Sequence, residues 1–256
     1  MPPSAADAEY LAAVERAAAD PDVLGAILVG SRALGPPFLR DGSDWDLRLV
    51  VRDEALDAAA ARHATPHGSR VEVALIRLRA FERIAEPGSP SAWDRPSFVR
   101  AVLVLDKLDG GIGSRLRDLA ILAPEPARAL AAQALDDYVN AYYRSLKNAA
   151  IGLAVESHLD ATESIPPLLE ALFALHARVR PFNRHLGWEL AHEPLGPDWL
   201  AGSALLPRLD SIVASGALPL QAALFRDVEA LARERGHGGV IDGWEPDVAW
   251  LRGSAT

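Results

Sequence analysis

GSRALGPPFLRDGSDWDL, running from Gly30 to Leu47, is the stretch on which the reading of this chain turns. It lies between two short apolar runs, Ala26-Ile27-Leu28-Val29 and Leu47-Arg48-Leu49-Val50-Val51. The pattern is a strand, a tight glycine turn, a polar excursion, and a second strand that begins with two carboxylates. Asp44 and Asp46 alternate around Trp45, so an extended chain points both to the same side. Two like charges held on one face repel unless a cation lies between them. A glycine-serine turn such as Gly30-Ser31 brings backbone N–H groups and a hydroxyl close to phosphate oxygens. A phosphate cradle beside paired hard-oxygen ligands is what magnesium-dependent phosphoryl or nucleotidyl transfer requires. Asp, Gly and Ser are also turn formers, but a calcium loop of the EF-hand kind starting at Asp41 fails. Its glycine and glutamate positions are filled by Asp46 and Arg52.

The bulk composition sets the frame. At 256 residues the chain has room for one large domain or two modest ones. It is 50% hydrophobic and 24% charged, which supports a substantial core. No apolar run approaches the length of a membrane span, and Met1–Asp7 lacks the basic start and apolar centre of a secretion signal. Cytoplasmic residence is the expectation. With 0 cysteines, disulfides and thiolate metal sites are excluded. A formal net charge of −9 argues against tight binding to a long nucleic-acid backbone and suits a cationic small substrate.

Along the chain, residues 5–19 read as an amphipathic helix ended by Pro21. Gly25–Val29, Asp46–Val51 and Arg70–Ile76 read as strands, with a helix over Ala55–His63. Glu86–Ser97 is rich in Pro, Ser and Gly and reads as a loop. Phe98–Leu105 reads as a fourth strand, and Ile112–Leu122 as a helix. Ala123-Pro124-Glu125-Pro126 is the candidate linker. Beyond it helical periodicity takes over. One long helix is predicted over Ala127–Glu156, and another from Ser164-Ile165-Pro166-Pro167 to about Arg180, stopped by Pro181. Helices near 203–216 and 217–235 follow, and the Trp-bearing tail Gly238–Gly253 is expected to pack back on the body.

The Gly-Ser, spacer, Asp-x-Asp arrangement resembles the signature of the DNA polymerase β-like nucleotidyltransferase superfamily. SDWDL, residues 43–47, is its most specific part, and Gly35 matches a second glycine common in smaller members. The resemblance is sharp over roughly 25–76 and architectural beyond about 120. It implies an α/β (α+β) nucleotidyltransferase domain with a mixed sheet over residues 1–123. A helical domain over 124–256 would then contribute to the acceptor and nucleotide cleft, as in aminoglycoside-type members.

The site residues follow from residues and resemblance together. Asp44 and Asp46 are the expected ligands of two magnesium ions. Glu72, an acid inside the apolar strand RVEVALI, is the natural third carboxylate, as metal ligand or base. An edge-strand Glu facing water, or a partner of Arg48, would look the same in sequence. Gly30 and Ser31 are expected at the phosphates, and Arg32 at the leaving pyrophosphate unless it is merely solvated. On the first long helix Asp136, Asn140, Tyr143, Arg144 and Lys147 fall on one flank. Tyr143 and Lys147 are the expected triphosphate contacts there. Arg178, Arg180, Asn183, Arg184 and His185 make the densest basic cluster. Arg180 and His185 have the spacing of the HEPN-type ribonuclease motif, but Pro181 departs from it.

The function expected is magnesium-dependent transfer of AMP from ATP to a hydroxyl of a small acceptor, an aminoglycoside-type antibiotic being favoured. That would make the chain an antibiotic-resistance enzyme. Rival readings are an adenylyltransferase acting on a protein or tRNA, as in antitoxins, and a catalytically idle nucleotide-binding module. Apolar helix faces would allow a homodimer. No membrane partner is expected.

Overall fold

A computed structural model describes residues 5–86, 89–90 and 92–253. The chain divides into two compact units, Met1–Ile121 and Leu122–Thr256. In the first unit α1 (Ala5–Ala19), β1 (Val23–Val29), α2 (Gly30–Leu34), β2 (Trp45–Val51), α3 (Leu56–Arg62) and β3 (Val71–Arg77) follow in turn. They are followed by α4 (Leu78–Glu82), α5 (Arg95–Phe98), β4 (Val102–Asp106) and α6 (Gly111–Ala120).

The sheet is mixed, with strand order β3-β2-β1-β4. β1 is antiparallel to both β2 and β4. β2 and β3 run parallel, which demands a crossover, and α3 supplies it. β1 is buried along its whole length, as its unbroken apolar sequence requires of a strand covered on both faces. On one face Leu47, Leu49, Val51 and Val71 pack against Ala13 and Ala17 of α1 and Ala59 of α3. On the other, Ile27, Val29 and Val50 pack against Phe81, Phe98, Ile112 and Leu119 from α4, α5 and α6.

One buried acid ties this unit together. Asp20, 8% exposed, sits in the turn from α1 to β1. Arg62 donates to it through Nε at 2.7 Å and Nη2 at 3.0 Å, and the Asp22 amide donates at 2.9 Å. His63 Nε2 lies 2.9 Å from its Oδ2. Lys107 Nζ donates to the Asp20 carbonyl at 2.7 Å. The hydrogen bonds from Arg62, with those from Asp22 and His63, hold the Asp20 carboxyl well below the usual carboxylate range against the opposing effect of burial. A carboxyl held low in the folded state stabilises it fully above the unfolded value near ~3.9 and less as the pH falls below that. Asp20→Asn should therefore cost about 2 kcal/mol at neutral pH. In denaturant titrations it should also flatten the loss of stability between pH 5 and pH 2 on the order predicted by linkage.

The second unit is helical: α7 (Pro124–Ala150), α8 (Ala154–Glu163), α9 (Ile165–Ala174), α10 (Asn183–His192), α11 (Gly202–Ser215), α12 (Leu218–Glu234), α13 (Gly238–Asp242) and α14 (Val248–Leu251). α7 is its spine, burying Leu135, Tyr138, Val139 and Tyr142 among Leu168, Phe173 and Phe225. The tail packs back as expected. Tyr142 donates to the Leu251 carbonyl at 2.9 Å, and Trp244 Nε1 donates to Asp136 at 3.0 Å. Glu229, buried on α12, accepts from both Arg233 and Arg252, and those bonds hold its carboxyl below the ordinary value.

Four predicted features differ, the first being the candidate linker, whose residues 124–126 form the opening turn of α7. The long helix over 127–156 breaks after Ala150, because Gly152 takes a left-handed φ of 80° and the chain restarts as α8. The helix expected to reach Arg180 stops at Ala174, ahead of Ala177 at φ 54°. Residues 95–98, the last part of the expected loop and the start of the expected strand, form α5 instead, with proline welcome in its first turn. Of that loop, residues 87, 88 and 91 lie outside the described residues, as do residues 1–4 of the N-terminal stretch. Among the described residues no helix is long and apolar enough to cross a membrane.

Candidate active site

The quoted stretch folds as β1, one helical turn, a polar loop and β2. Gly30 opens α2 with φ 71°, a left-handed conformation that disfavours side chains. Space gives a second reason for glycine. A Cβ at position 30 would fall 2.0 Å from Oδ2 of Asp46. The register explains this approach, since Val29 pairs with Asp46 across β1 and β2. On the other side Asp46 pairs with Glu72 across β2 and β3. Paired residues on neighbouring strands project to the same face about 4.8 Å apart. The sheet thus sets the half-buried Asp46 between the Gly30 backbone and the exposed Glu72 on the edge strand.

Asp44 departs from the expected arrangement. It precedes β2, is 59% exposed, and lies 3.9 Å from Nε of Arg70. Among the described residues no three His, Cys, Asp or Glu side chains are grouped to hold a metal ion. Strand pairing fixes Asp46 and Glu72 side by side, while Asp44 stands in the loop before β2. A carboxylate pair still fits magnesium, which takes one or two protein carboxylates and completes its octahedron with water and phosphate. Hard oxygens on adjacent rigid strands are a suitable donor set for it.

Arg32 is a brace. Its Nε donates to the Ser43 carbonyl at 3.1 Å, and its guanidinium lies 4.2 Å from the Trp45 ring centre. Tyr10 of α1 stacks on the same indole at 3.9 Å and 13°. Two groups that close over one ring must take opposite faces, so Trp45 is sandwiched. Arg32 Nη1 also lies 3.8 Å from Asp7. The guanidinium thus joins α2 to the residue just before Asp44. Arg32→Lys keeps the charge but loses the Nε bond and the flat stack. Both it and Arg32→Met should cost about 1–2 kcal/mol in thermal or denaturant unfolding.

Arg48 follows Asp46 on the same face of β2, and its Nη2 lies 3.9 Å from Asp94, which accepts from Ser97 Oγ at 2.5 Å. Arg48 thus answers to Asp94, and Glu72 is not its cross-strand mate, Ala74 being opposite. Tyr10, Arg70 and Asp94 carry no sequence signal, because Trp45, Asp44 and Arg48, which they meet, lie far away in the chain.

In the helical unit Tyr143 and Lys147 do meet, Lys147 Nζ lying 5.4 Å from the Tyr143 ring. Tyr143 also packs against Trp244 and Trp250 at 5.5 and 5.6 Å. Burial first, then Asp247, pushes its hydroxyl pKa up, so it stays a neutral donor. Asp136 is engaged by Trp244, and Arg144 by Asp160 and Glu163. Much of this flank is thus tail packing and interhelix pairing. In the basic cluster Arg178 pairs with Glu189, and Arg180 donates to the Pro166 carbonyl at 3.1 Å and to Asn183 at 2.7 Å. Both arginines brace the approach to α10.

No protein-family model matches the chain, and no curated protein does. A crystal structure of a nucleotidyltransferase-like protein from Exiguobacterium sibiricum 255-15 aligns with 94% of this chain and 91% of its own. The sequence identity is 13% and the TM-score 0.44. A likeness that loose assigns no activity.

Proposed function

We propose that this chain is a magnesium-dependent nucleotidyltransferase of the DNA polymerase β-like superfamily, moving AMP from ATP to a hydroxyl of a small cationic acceptor. The observation that carries the reading is the Asp46 carboxylate set against the Gly30 backbone, with Glu72 beside it on the next strand. Gly30 is the residue that lets this carboxylate stand against the turn, since any side chain there would displace Asp46.

Asp46 and Glu72 would hold magnesium, with Asp44 as a further carboxylate ligand. An ion held there would supply Lewis-acid stabilisation of the charge that develops during transfer. Gly30 lets the backbone approach the phosphates, and Ser31 offers its hydroxyl. The acceptor oxygen attacks the α-phosphorus, the bond to the β-phosphate bridging oxygen breaks, and pyrophosphate leaves. Glu72, exposed on the edge strand, would take the acceptor proton through a carboxylate oxygen not committed to the ion. The net charge of −9 favours a cationic acceptor of the aminoglycoside type, which would make the product an inactivated antibiotic.

The test is pyrophosphate release from magnesium-ATP by the purified protein, with and without a panel of aminoglycosides. Release that depends on an acceptor and on magnesium, and falls in Asp44→Asn and more steeply in Asp46→Asn, is the expected result. No release together with no ATP binding would sink the enzyme reading. ATP binding without release would move the acceptor to a protein or an RNA.

A further inference from the structure

One step beyond the paired strands, the register that sets Asp46 beside Glu72 adds a cation. β2 and β3 pair from Trp45 and Val71 onward, so the same register continued one residue back sets Arg70 beside Asp44. Two contacts agree with this. The Trp45 amide donates to the Arg70 carbonyl at 2.8 Å, and Arg70 Nε lies 3.9 Å from Asp44 Oδ1. Side chains alternate along an extended chain, so Arg70 belongs to the face of Glu72, and Asp44 to that of Asp46. Arg48, the next cation on this face, answers to Asp94. The end of the sheet thus sets one uncommitted guanidinium against the carboxylates.

The Arg70–Asp44 pair does not hold the loop. Its 3.9 Å separation exceeds a hydrogen bond, and the two side chains are 46% and 59% exposed, so it adds little to stability. Other groups fix the loop. The Ser43 amide donates to the Arg40 carbonyl at 2.9 Å, Ser43 Oγ accepts from the Arg40 amide at 3.0 Å, and Arg32 braces the Ser43 carbonyl. The backbone bond from Trp45 likewise fixes Arg70 whatever its side chain. The guanidinium occupies space that a glycine leaves for it. Gly42 has φ 96°, and a Cβ there would fall 3.0 Å from Arg70 Nη2. Among the described residues the Arg70 side chain makes no hydrogen bond. A positioned guanidinium whose donors are not committed to protein suits phosphate oxygens, which arginine grips in pairs.

We infer that Arg70 is the built-in counter-ion of this site: in protein without metal it offsets Asp44, and it is a binding residue for the phosphate groups of the nucleotide. The inference rests on the reading of Asp46 and Glu72 as a divalent-cation site. Arg70 and a divalent cation compete for the same Asp44 carboxylate. Removing the guanidinium therefore helps the cation and harms the anion, whereas losing a residue that only supported the loop would weaken both.

The test measures two affinities of the full-length protein. Manganese, in place of magnesium, is titrated without nucleotide and followed by the electron paramagnetic resonance signal of the free ion. ATP is then titrated calorimetrically at saturating manganese. Arg70→Gln should bind manganese about threefold more tightly and ATP about tenfold more weakly, with an unchanged melting curve. Arg70→Lys keeps the charge and loses the fork, so it should restore the manganese affinity of wild type and only part of the ATP affinity. Asp46→Asn should abolish manganese binding. If it does, and the two affinities of Arg70→Gln do not move in opposite directions, the inference is overturned while the cation site stands. No saturable manganese binding in wild type, or binding that Asp46→Asn leaves unchanged, overturns the cation site and the inference with it. Opposite shifts in a protein that transfers AMP to no acceptor would uphold the role of Arg70 and count against the transferase reading alone.

Discussion

Asp46→Asn is expected to lower nucleotidyl transfer roughly a thousandfold, about 4 kcal/mol of transition-state stabilisation. The change is nearly isosteric, so the contact with Gly30 persists and the fold should melt within a degree or so of wild type. What disappears is the anionic oxygen that would hold magnesium against the triphosphate. Asp44→Asn should cost less, because Asp44 is 59% exposed, precedes β2, and already has Arg70 at 3.9 Å. The ranking is therefore Asp46 above Asp44 in single-turnover rate at saturating ATP. Equal losses would mean that both carboxylates are drawn onto one metal when the nucleotide binds. No loss in Asp46→Asn would remove that residue from the chemistry.

Gly30→Ala is the second large effect, and it acts through geometry with no change of charge. The new Cβ would stand 2.0 Å from Asp46 Oδ2, far inside contact distance, so the carboxylate has to move. A shift on the order of 1 Å at a reacting centre costs about a hundredfold in rate. A side chain at φ 71° adds about 1–2 kcal/mol of backbone strain, readable as a lowered denaturation midpoint. Gly35→Ala separates the two causes. Gly35 has a similar φ of 69°, but nothing lies within 4 Å of its would-be Cβ. It should lose comparable stability and keep its activity. If Gly30→Ala keeps full activity while binding ATP normally, the Gly30–Asp46 contact has no catalytic role.

Much of the first unit was legible because its signals are local. β1 is an unbroken apolar run, β2 and β3 are short apolar runs bounded by polar residues, and α1 has helical periodicity, so their bounds were readable within a few residues. The Gly-Ser and Asp-x-Asp spacing marked the turn on which Asp46 is mounted. What misled was also local. Gly152 and Ala177 take left-handed φ at places where apolar periodicity carries on, so the helices end earlier than the pattern does. Arg32 follows a turn and reads as a free cation, because Asp7, Ser43 and Trp45, which claim it, lie elsewhere in the chain.

The sequence by itself determined the residue types of the site, the order of strand, turn and strand that carries them, and the change from sheet-forming to helical character near Pro124. Each depends on neighbours in the chain, where periodicity and turn chemistry act directly. Only the tertiary structure decided which carboxylates share a row across the sheet. Strand register is set by the pairing of whole strands, and it puts Val29, Asp46 and Glu72 in one row while leaving Asp44 beyond the edge. It likewise decided that Arg32 braces the loop and that Arg70 stands against Asp44. Those contacts join residues that the backbone brings together only once the sheet has formed.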